Sequence, residues 1–386
     1  MAELYSLPDG WEWKTIEELC EILDRLRKPI SQKDRISGEY PYYGATGIVD
    51  YINNYIFDER LLLIGEDGAK WGANENTAFI AEGKYWVNNH AHIMRPNKDL
   101  VIDSLLIYYL NTTDLMEYIT GATVKKLNQE KLKSINIPLP PFEEQKRIVV
   151  NLDILFEKID KAIALHQKNI DEADIFMESV LNDVFVELNG VYQKRQLDSF
   201  DKKMSSGGTP SRKEKLYWDN GTIDWFSSGE LNQLYTLPSK EKITQLGLEK
   251  TSTKLFSKGT LLIGMYDTAA MKMSILSNDG SCNQAIVGFK SDESELNILF
   301  LKYQLEYLKK DILEQRQGVR QQNLNLSKIK NIEIEYPPLK TQQKVVSYLD
   351  EISNKMEKIK NLQKKKMQSL KELKASILDK AFKGEL

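Results

Sequence analysis

The sequence predicts an α+β protein written twice: a mixed globule, a long helix, a second mixed globule and a second long helix, the two helices pairing as an antiparallel coiled coil. Three observations predict it. First, LPPFEEQKRIV at residues 139–149 recurs as YPPLKTQQKVV at residues 336–346. Pro140 meets Pro337, Gln145 meets Gln342, Ile148 meets Val345, Leu152 meets Leu349 and Asp153 meets Asp350, all at one shift of 197 residues. In a chain of 386 residues that shift is the signature of an internal duplication with a pseudo-twofold repeat. Second, each copy opens a stretch free of proline and glycine with apolar residues at helical spacing. Third, the segments between them alternate short apolar runs with Gly, Asn, Asp and Ser turns, the pattern of small sheets.

Four segments follow: a globule at 1–137, a helical region at 138–188, a globule at 189–336 and a helical region at 337–386. In the first globule, Leu61–Gly65 reads as a buried strand and Asn89-His90-Ala91 as the lead-in to another. From Glu143 to about Leu188, Ile148, Leu152, Leu155, Ile159, Ile163, Ile170, Ala173, Met177, Val180 and Val184 form one narrow stripe. A helix of roughly 46 residues runs about 70 Å, and one so long needs a partner for its apolar stripe. The second globule matches Leu61–Gly65 with Leu261–Gly264, and Asn89-His90-Ala91 with Asn283-Gln284-Ala285. Gly121/Gly318, Leu127/Leu324 and Asn128/Asn325 keep the shift of 197. From Lys340 to Phe382, Leu349, Ile352, Met356, Ile359, Leu370, Leu373 and Ile377 supply the partner stripe. Proline suits the first turn of each helix and stops the preceding element from running into it.

Bulk properties exclude several classes. With 41% hydrophobic and 28% charged residues the chain is ordinary for a folded protein. No apolar stretch approaches the length of a membrane span, and the N-terminal MAELYSLPDGWEW lacks the basic and apolar regions of a signal peptide. Cys20 and Cys282 sit in unrelated contexts, which fits a reduced, cytoplasmic setting. Catalytic signatures are missing. The glycines of Gly259-TLLI-Gly264 have phosphate-loop spacing, but Met265 and Tyr266 follow where lysine and a hydroxyl are needed. Leu139-Pro140-Pro141-Phe142 puts leucine where an amino-methyltransferase needs Asn or Asp. Pro8-Asp9 with Glu12 and Lys14 imitates a nuclease signature, yet its elements are too close to lie on two strands. His90 and His92 alternate as strand residues, with metal ligation as the lesser alternative, and His166 lies near a helix seam and is read as structural, so no catalytic and no metal residue is assigned.

What is present is the inventory of a nucleic-acid reader. A net charge of −3 leaves room for local basic patches. In the first globule these are Arg25, Arg27, Lys28, Lys33 and Arg35, then Tyr43 and Thr46 of the Tyr-Gly-Ala-Thr-Gly turn, Lys70, Lys125 and Lys126. In the second they are Ser206, Gly208, Thr209, Ser211 and Arg212, with Lys202, Lys203, Lys213 and Lys215 nearby, then Ser228, and Arg316, Arg320, Gln321 and Gln322 in the Gln-Arg-rich string 315–323. Arg reads guanine and Asn or Gln reads adenine in the major groove, while lysines, hydroxyls and open glycine loops hold phosphate. The competing reading of the charge runs is a solvated face, and of the tyrosines, packing.

Taken together, LPDGWEWKTIEELCEI, RKPISQKDRISGEYPYYGATGIVDYI, GGTPSRKEKLYWDNGTIDW, LKASILDKAFKGEL and the twin Pro-Pro hinges resemble the DNA-specificity subunit of type I restriction–modification enzymes along essentially the whole chain. The resemblance implies two target-recognition domains alternating with two conserved helical regions, and no catalytic activity or cofactor of its own. It implies double-stranded DNA with a split target as ligand, each domain reading one half and the helix pair setting the spacer. Two modification subunits, holding S-adenosylmethionine and the adenine-N6 methyltransferase site, are expected to dock on the helices, with Gln145, Arg147, Gln342 and Lys344 as the docking residues. Restriction subunits, which use ATP and Mg, can join. A scaffold linking two protein-binding domains, and a specificity subunit serving modification alone, are the alternatives. The second hinge departs from the first, reading Lys340-Thr341-Gln342-Gln343 in place of an acidic Glu-Gln-Lys form.

Overall fold

The computed structural model describes residues 5–314 and 324–386. It separates into two compact units, Met1–Lys168 with Gln363–Leu386, and Asn169–Leu362. The division cuts across both long helices: the first unit holds the first globule, the start of the first helix and the end of the second, and the second unit holds the second globule, the end of the first helix and the start of the second.

In the first unit, the all-apolar strand Leu61–Gly65 is flanked by Ala91–Pro96 and Ala78–Ala81, with Cys20–Ile22 at the edge beyond Ala91–Pro96; every pairing is antiparallel. Such continuous apolar strands are buried on both faces. A second sheet runs Gly47–Ile52, Ser37–Gly44, Lys84–Val87, Phe57–Asp58, and its middle pairing is parallel. Glu12–Thr15 pairs with Asn136–Leu139, closing the globule just before the hinge. Thr15 then caps a short helix with a reciprocal box: its hydroxyl accepts from the Glu18 amide, and Glu18 accepts from the Thr15 amide at 2.7 Å.

The second unit repeats this plan with shorter strands. Leu261–Gly264 lies between Ile286–Phe289 and Met273–Ile275, with Ser205–Ser206 at the edge. Ile223–Phe226 pairs antiparallel with Glu241–Ile243 and parallel with Gly280–Cys282, and Lys194–Gln196 pairs with Glu333–Glu335. Asn128 and Asn325 each cap a one-turn helix, accepting from the Lys131 and Lys328 amides at 2.8 and 2.9 Å.

Register sharpens the repeat. Gly65 faces Ala91 and Gly264 faces Ile286. Equivalence therefore pairs Asn88 with Asn283 and Asn89 with Gln284, one residue away from the match that sequence suggests. The hydrogen bonds agree: Asn88 donates its amide to the Tyr43 carbonyl and Asn283 to the Phe226 carbonyl, each at 3.0 Å.

The long helices are Phe142–Leu188 and Leu339–Phe382, within one residue of expectation at their starts. In the first unit Ile148, Leu152, Phe156 and Ile159 are buried with Leu378, Ala381 and Phe382. Lys374 pairs with Asp160 at 3.0 Å, and His166 Nδ1 donates to Gln363 Oε1 at 2.5 Å. In the second unit Val180, Leu181 and Phe185 are buried with Val346 and Leu349, and Lys360 pairs with Asp174 at 2.9 Å. Partners rise in one helix as they fall in the other, so the pairing is antiparallel. Ile359 and Leu373, assigned to the seam, are 40% and 48% exposed, because an unbroken 3.6-residue period drifts off a strict seven-residue stripe. No described helix is long and apolar enough to cross a membrane.

Candidate nucleic-acid interface

In the first unit, one end of the central sheet collects loops that are far apart in sequence. The Arg27 side chain reaches Glu66 and the carbonyl of Ala91 at 2.9 Å. Lys126 Nζ meets Glu66 at 2.6 Å, and the Leu127 amide donates to the Glu66 carbonyl at 2.8 Å. Trp86 Nε1 donates to the Lys28 carbonyl at 2.5 Å, and His90 Nδ1 meets Asp67 at 2.6 Å. Gly65 is glycine for a steric reason: a Cβ there would sit 2.8 Å from the Ala45 carbonyl oxygen and 2.3 Å from the Ala69 Cβ, so the 44–47 turn packs directly against the sheet end.

This convergence separates the basic candidates into two groups. Arg27 and Lys126 are tied to Glu66, which is 7% exposed. Arg35 lies over the Tyr42 ring, 4.5 Å from its centroid, and pairs with Asp50 at 3.1 Å. Tyr43 packs between Phe79 and Tyr85, half-buried, with burial raising its hydroxyl pKa. Arg25, Lys28, Lys33 and Lys125 are exposed, and among the described residues their side chains form no hydrogen bond or ion pair. Thr46 is exposed on its turn, and Lys70 makes a long 3.9 Å pair with Glu75 while remaining 80% exposed.

Beneath the loops lies a buried ionic centre that sequence reasoning missed. Asp24, Glu66 and His92 bring potential ligand atoms within 4.8 Å of one another. Both ring nitrogens of His92 face acceptors, Nδ1 the Asp24 carboxylate at 2.6 Å and Nε2 the Leu127 carbonyl at 2.7 Å. Each ring nitrogen of His92 is thus already engaged by an acceptor, a carboxylate on one side and a backbone carbonyl on the other. Burial raises the Asp24 pKa, but His92, Gln129 and the Ile93 amide outweigh it and hold the carboxyl below its ordinary range. Glu66 is likewise pushed up by burial and pulled further down by Lys126, Arg27 and His92. The cluster is a brace for the 24–28 loop, the 66 turn and the 126–127 segment.

The second unit gathers the corresponding loops. Gly207 and Gly208 pass where a Cβ would clash, 2.1 Å from the Cys282 carbonyl oxygen and 2.9 Å from Ser252. Ser206 stands opposite Val287 in the edge pairing, and the Thr209 hydroxyl donates to Gln284 Oε1. Ser211 is exposed and accepts from Trp218 Nε1 through its carbonyl at 3.1 Å. Arg212 lies over Trp218, 3.8 Å from the ring centroid, and forks onto Glu241. A stacked, bidentate guanidinium is stiff, and it must exchange Glu241 before meeting a base or phosphate. Ser228 is half-buried in a turn closed by Ser227 and Glu230. The Leu324 amide donates to the Met265 carbonyl at 3.1 Å, the counterpart of Leu127 and Glu66. Arg316, Arg320, Gln321 and Gln322 lie outside the described residues.

The hinges correct one expectation. Gln145 is 1% and Gln342 0% exposed, so neither offers a surface to a partner. Gln145 donates to the Leu100 and Pro140 carbonyls at 2.9 and 3.0 Å and accepts from the Ile102 amide at 3.0 Å. Gln342 donates to the Glu295 and Pro337 carbonyls at 3.2 and 2.9 Å and accepts from the Asn297 amide at 2.9 Å. Each glutamine latches its helix to the loop ahead of the Asp103–Thr112 or Ile298–Glu314 helix. Arg147 and Lys344 are exposed; Arg147 forks onto Glu144 and donates to the Leu386 carbonyl at 2.7 Å.

A chain that twice presents a loop cluster on a braced sheet end, joined to paired helices, is a two-module reader. Residues 8–173 and 190–367 both match the type I restriction modification DNA specificity domain, and the chain belongs to that family. Its role is DNA target specificity within a type I restriction–modification system. A Haemophilus influenzae protein described as a type I restriction enzyme specificity subunit is 30% identical, over 88% of this chain and 86% of its own length. The Escherichia coli EcoR124I/EcoR124II specificity subunit is 25% identical over 91% and 89%. Among solved structures, a chain from a study of assembly and conformational transition of the type I system has a TM-score of 0.74 at 20% identity, covering 99% of this chain and 100% of that one. The HsdS subunit from Thermoanaerobacter tengcongensis has a TM-score of 0.51 at 20% identity, covering 100% and 99%.

Proposed function

We propose that each unit reads one half of a split double-stranded DNA target through the loops at its sheet end, and that the long helices set the spacer between the halves. The observation that carries this is the repeated convergence of loops on one sheet end in each unit, with Arg25, Lys28, Lys33 and Lys125 in the first exposed and unpaired among the described residues. Such cations supply the salt-sensitive phosphate term, while amides and guanidinium forks supply base discrimination. The chain itself is non-catalytic and cytoplasmic, and takes no cofactor. Chemistry belongs to partners: two modification subunits that bind S-adenosylmethionine and methylate an adenine in each half after flipping it from the duplex, with restriction subunits using ATP and Mg in a full system. Their docking surface on this chain is the exposed face beyond each hinge: Arg147, Val150 and Ile154 on the first helix, Lys344 and Tyr348 on the second.

The test is methylome sequencing of the host with and without the chain. A split, adenine-methylated motif that vanishes on deletion is expected, together with DNA affinity that falls steeply with salt. A scaffold for two protein-binding domains predicts neither. Host methylation with no matching cleavage would leave a subunit serving modification alone.

A further inference from the structure

The two units share one side-chain feature at the tips of their loop clusters. Asn89 and Gln284 occupy equivalent positions, one residue past Asn88 and Asn283, and both are exposed. Each follows an asparagine whose side chain closes a tight turn: Asn88 Oδ1 accepts from the His90 amide at 2.7 Å, and Asn283 Oδ1 from the Ala285 amide at 3.0 Å. Each turn is fastened on both sides. Its first residue donates to the neighbouring sheet, and its last carbonyl accepts from Glu66 at 2.8 Å or Met265 at 2.9 Å. A carboxamide is thus presented from a rigid support beside the basic loops, the condition for precise base contact.

The carboxamides are free to read. Among the described residues the Asn89 side chain has no hydrogen bond, and Gln284 uses one lone pair of Oε1 on the Thr209 hydroxyl. The second lone pair and both Nε2 hydrogens remain. An adenine in the major groove offers the complement, a donor at N6 and an acceptor at N7. We propose that Asn89 and Gln284 are specificity-determining residues, each taking the N6/N7 edge of an adenine in its own half-site.

This rests on the split-target reading, and the experiment separates the two. The host's chromosomal copy is replaced by N89A, N89D, Q284A or Q284E, and methylation motifs are mapped by sequencing. For Asn89→Ala, discrimination at one base pair of one half-site falls roughly ten- to hundred-fold, while the other half-site and the spacer stay unchanged; Gln284→Ala does the same in the opposite half. Asn89→Asp and Gln284→Glu preserve shape and fold but lose the donor, so the preference moves toward cytosine, whose N4 donates to a carboxylate. An unchanged motif in all four variants overturns the inference and leaves the split-target reading intact. A uniform loss of methylation at every base, in the isosteric variants as well, also overturns it, assigning these residues to phosphate contact or folding. A wild-type host without a split motif overturns the reading beneath it.

Discussion

The same place in the two units is built from opposite chemistry. In the first, Asp24, Arg27, Glu66 and His92 form a buried ionic brace at the sheet end. By strand register the counterparts of Asp24, Glu66 and His92 in the second are Ser206, Met265 and Val287. There Met265 is 2% and Val287 0% exposed, packed in the apolar core with Phe289 and Leu324. Some backbone bonds recur at both sites, among them the amide of Leu127 or Leu324 on the carbonyl of Glu66 or Met265. The comparison teaches that the scaffold tolerates either solution. What differs is the cost of damage: charges in a low-dielectric site depend on one another, whereas apolar neighbours fail one at a time.

The largest effect tests that dependence. Glu66→Ala leaves Arg27 and Lys126 without their carboxylate and is expected to destabilise the first unit by about 3 kcal/mol or more in denaturant titration. The fourfold exchange Asp24→Ser, Arg27→Thr, Glu66→Met and His92→Val, which replaces the ionic cluster with neutral side chains and at three positions installs the second unit's register counterparts, is expected within about 1 kcal/mol of wild type or above it. A fourfold variant weaker than Glu66→Ala would show that the two sites are not interchangeable.

Next come the hinge latches, where the units agree. Gln145→Ala and Gln342→Ala each orphan two carbonyls and an amide, and each is expected to cost about 2 kcal/mol. Equal losses sharpen the repeat; a loss confined to one would break it.

The smallest effect is acid sensitivity. The Asp24 and Glu66 carboxyls are held below the ordinary range by the hydrogen bonds and charges around them, so their contribution is fully present above about pH 4, the unfolded value. It is lost as pH falls through the lower folded values. Hydrogen exchange, corrected for intrinsic rates, is expected to quicken below about pH 4 in 61–65 and 91–96 more than in 261–264 and 286–289. The reverse order would contradict the brace.

Much of this was legible in the sequence because it is periodic or local. The helix stripes, the Pro-Pro hinges and the strands Leu61–Gly65 and Leu261–Gly264 are patterns within a few residues. The roles of single charges were not, because their partners are remote in sequence. Arg27 and Lys126 read as loop cations until Glu66, 39 residues from Arg27, appears between them. Arg212 is answered by Glu241 across 29 residues. Gln145 and Gln342 stood out by recurrence, which marks importance without saying whether a residue faces a partner or the hinge. The one-residue slip at Asn89 arose because the two turns carry different residues and only strand register aligns them.

The proposal that the long helices set the spacer between two half-sites is tested most directly by lengthening them. Four residues inserted into each long helix, at matched positions in the pair, add about 6 Å, close to two base pairs at about 3.4 Å each. Motif mapping of the inserted variant is predicted to return the wild-type half-sites with a spacer about two base pairs longer. The original spacer with altered half-sites would contradict the account.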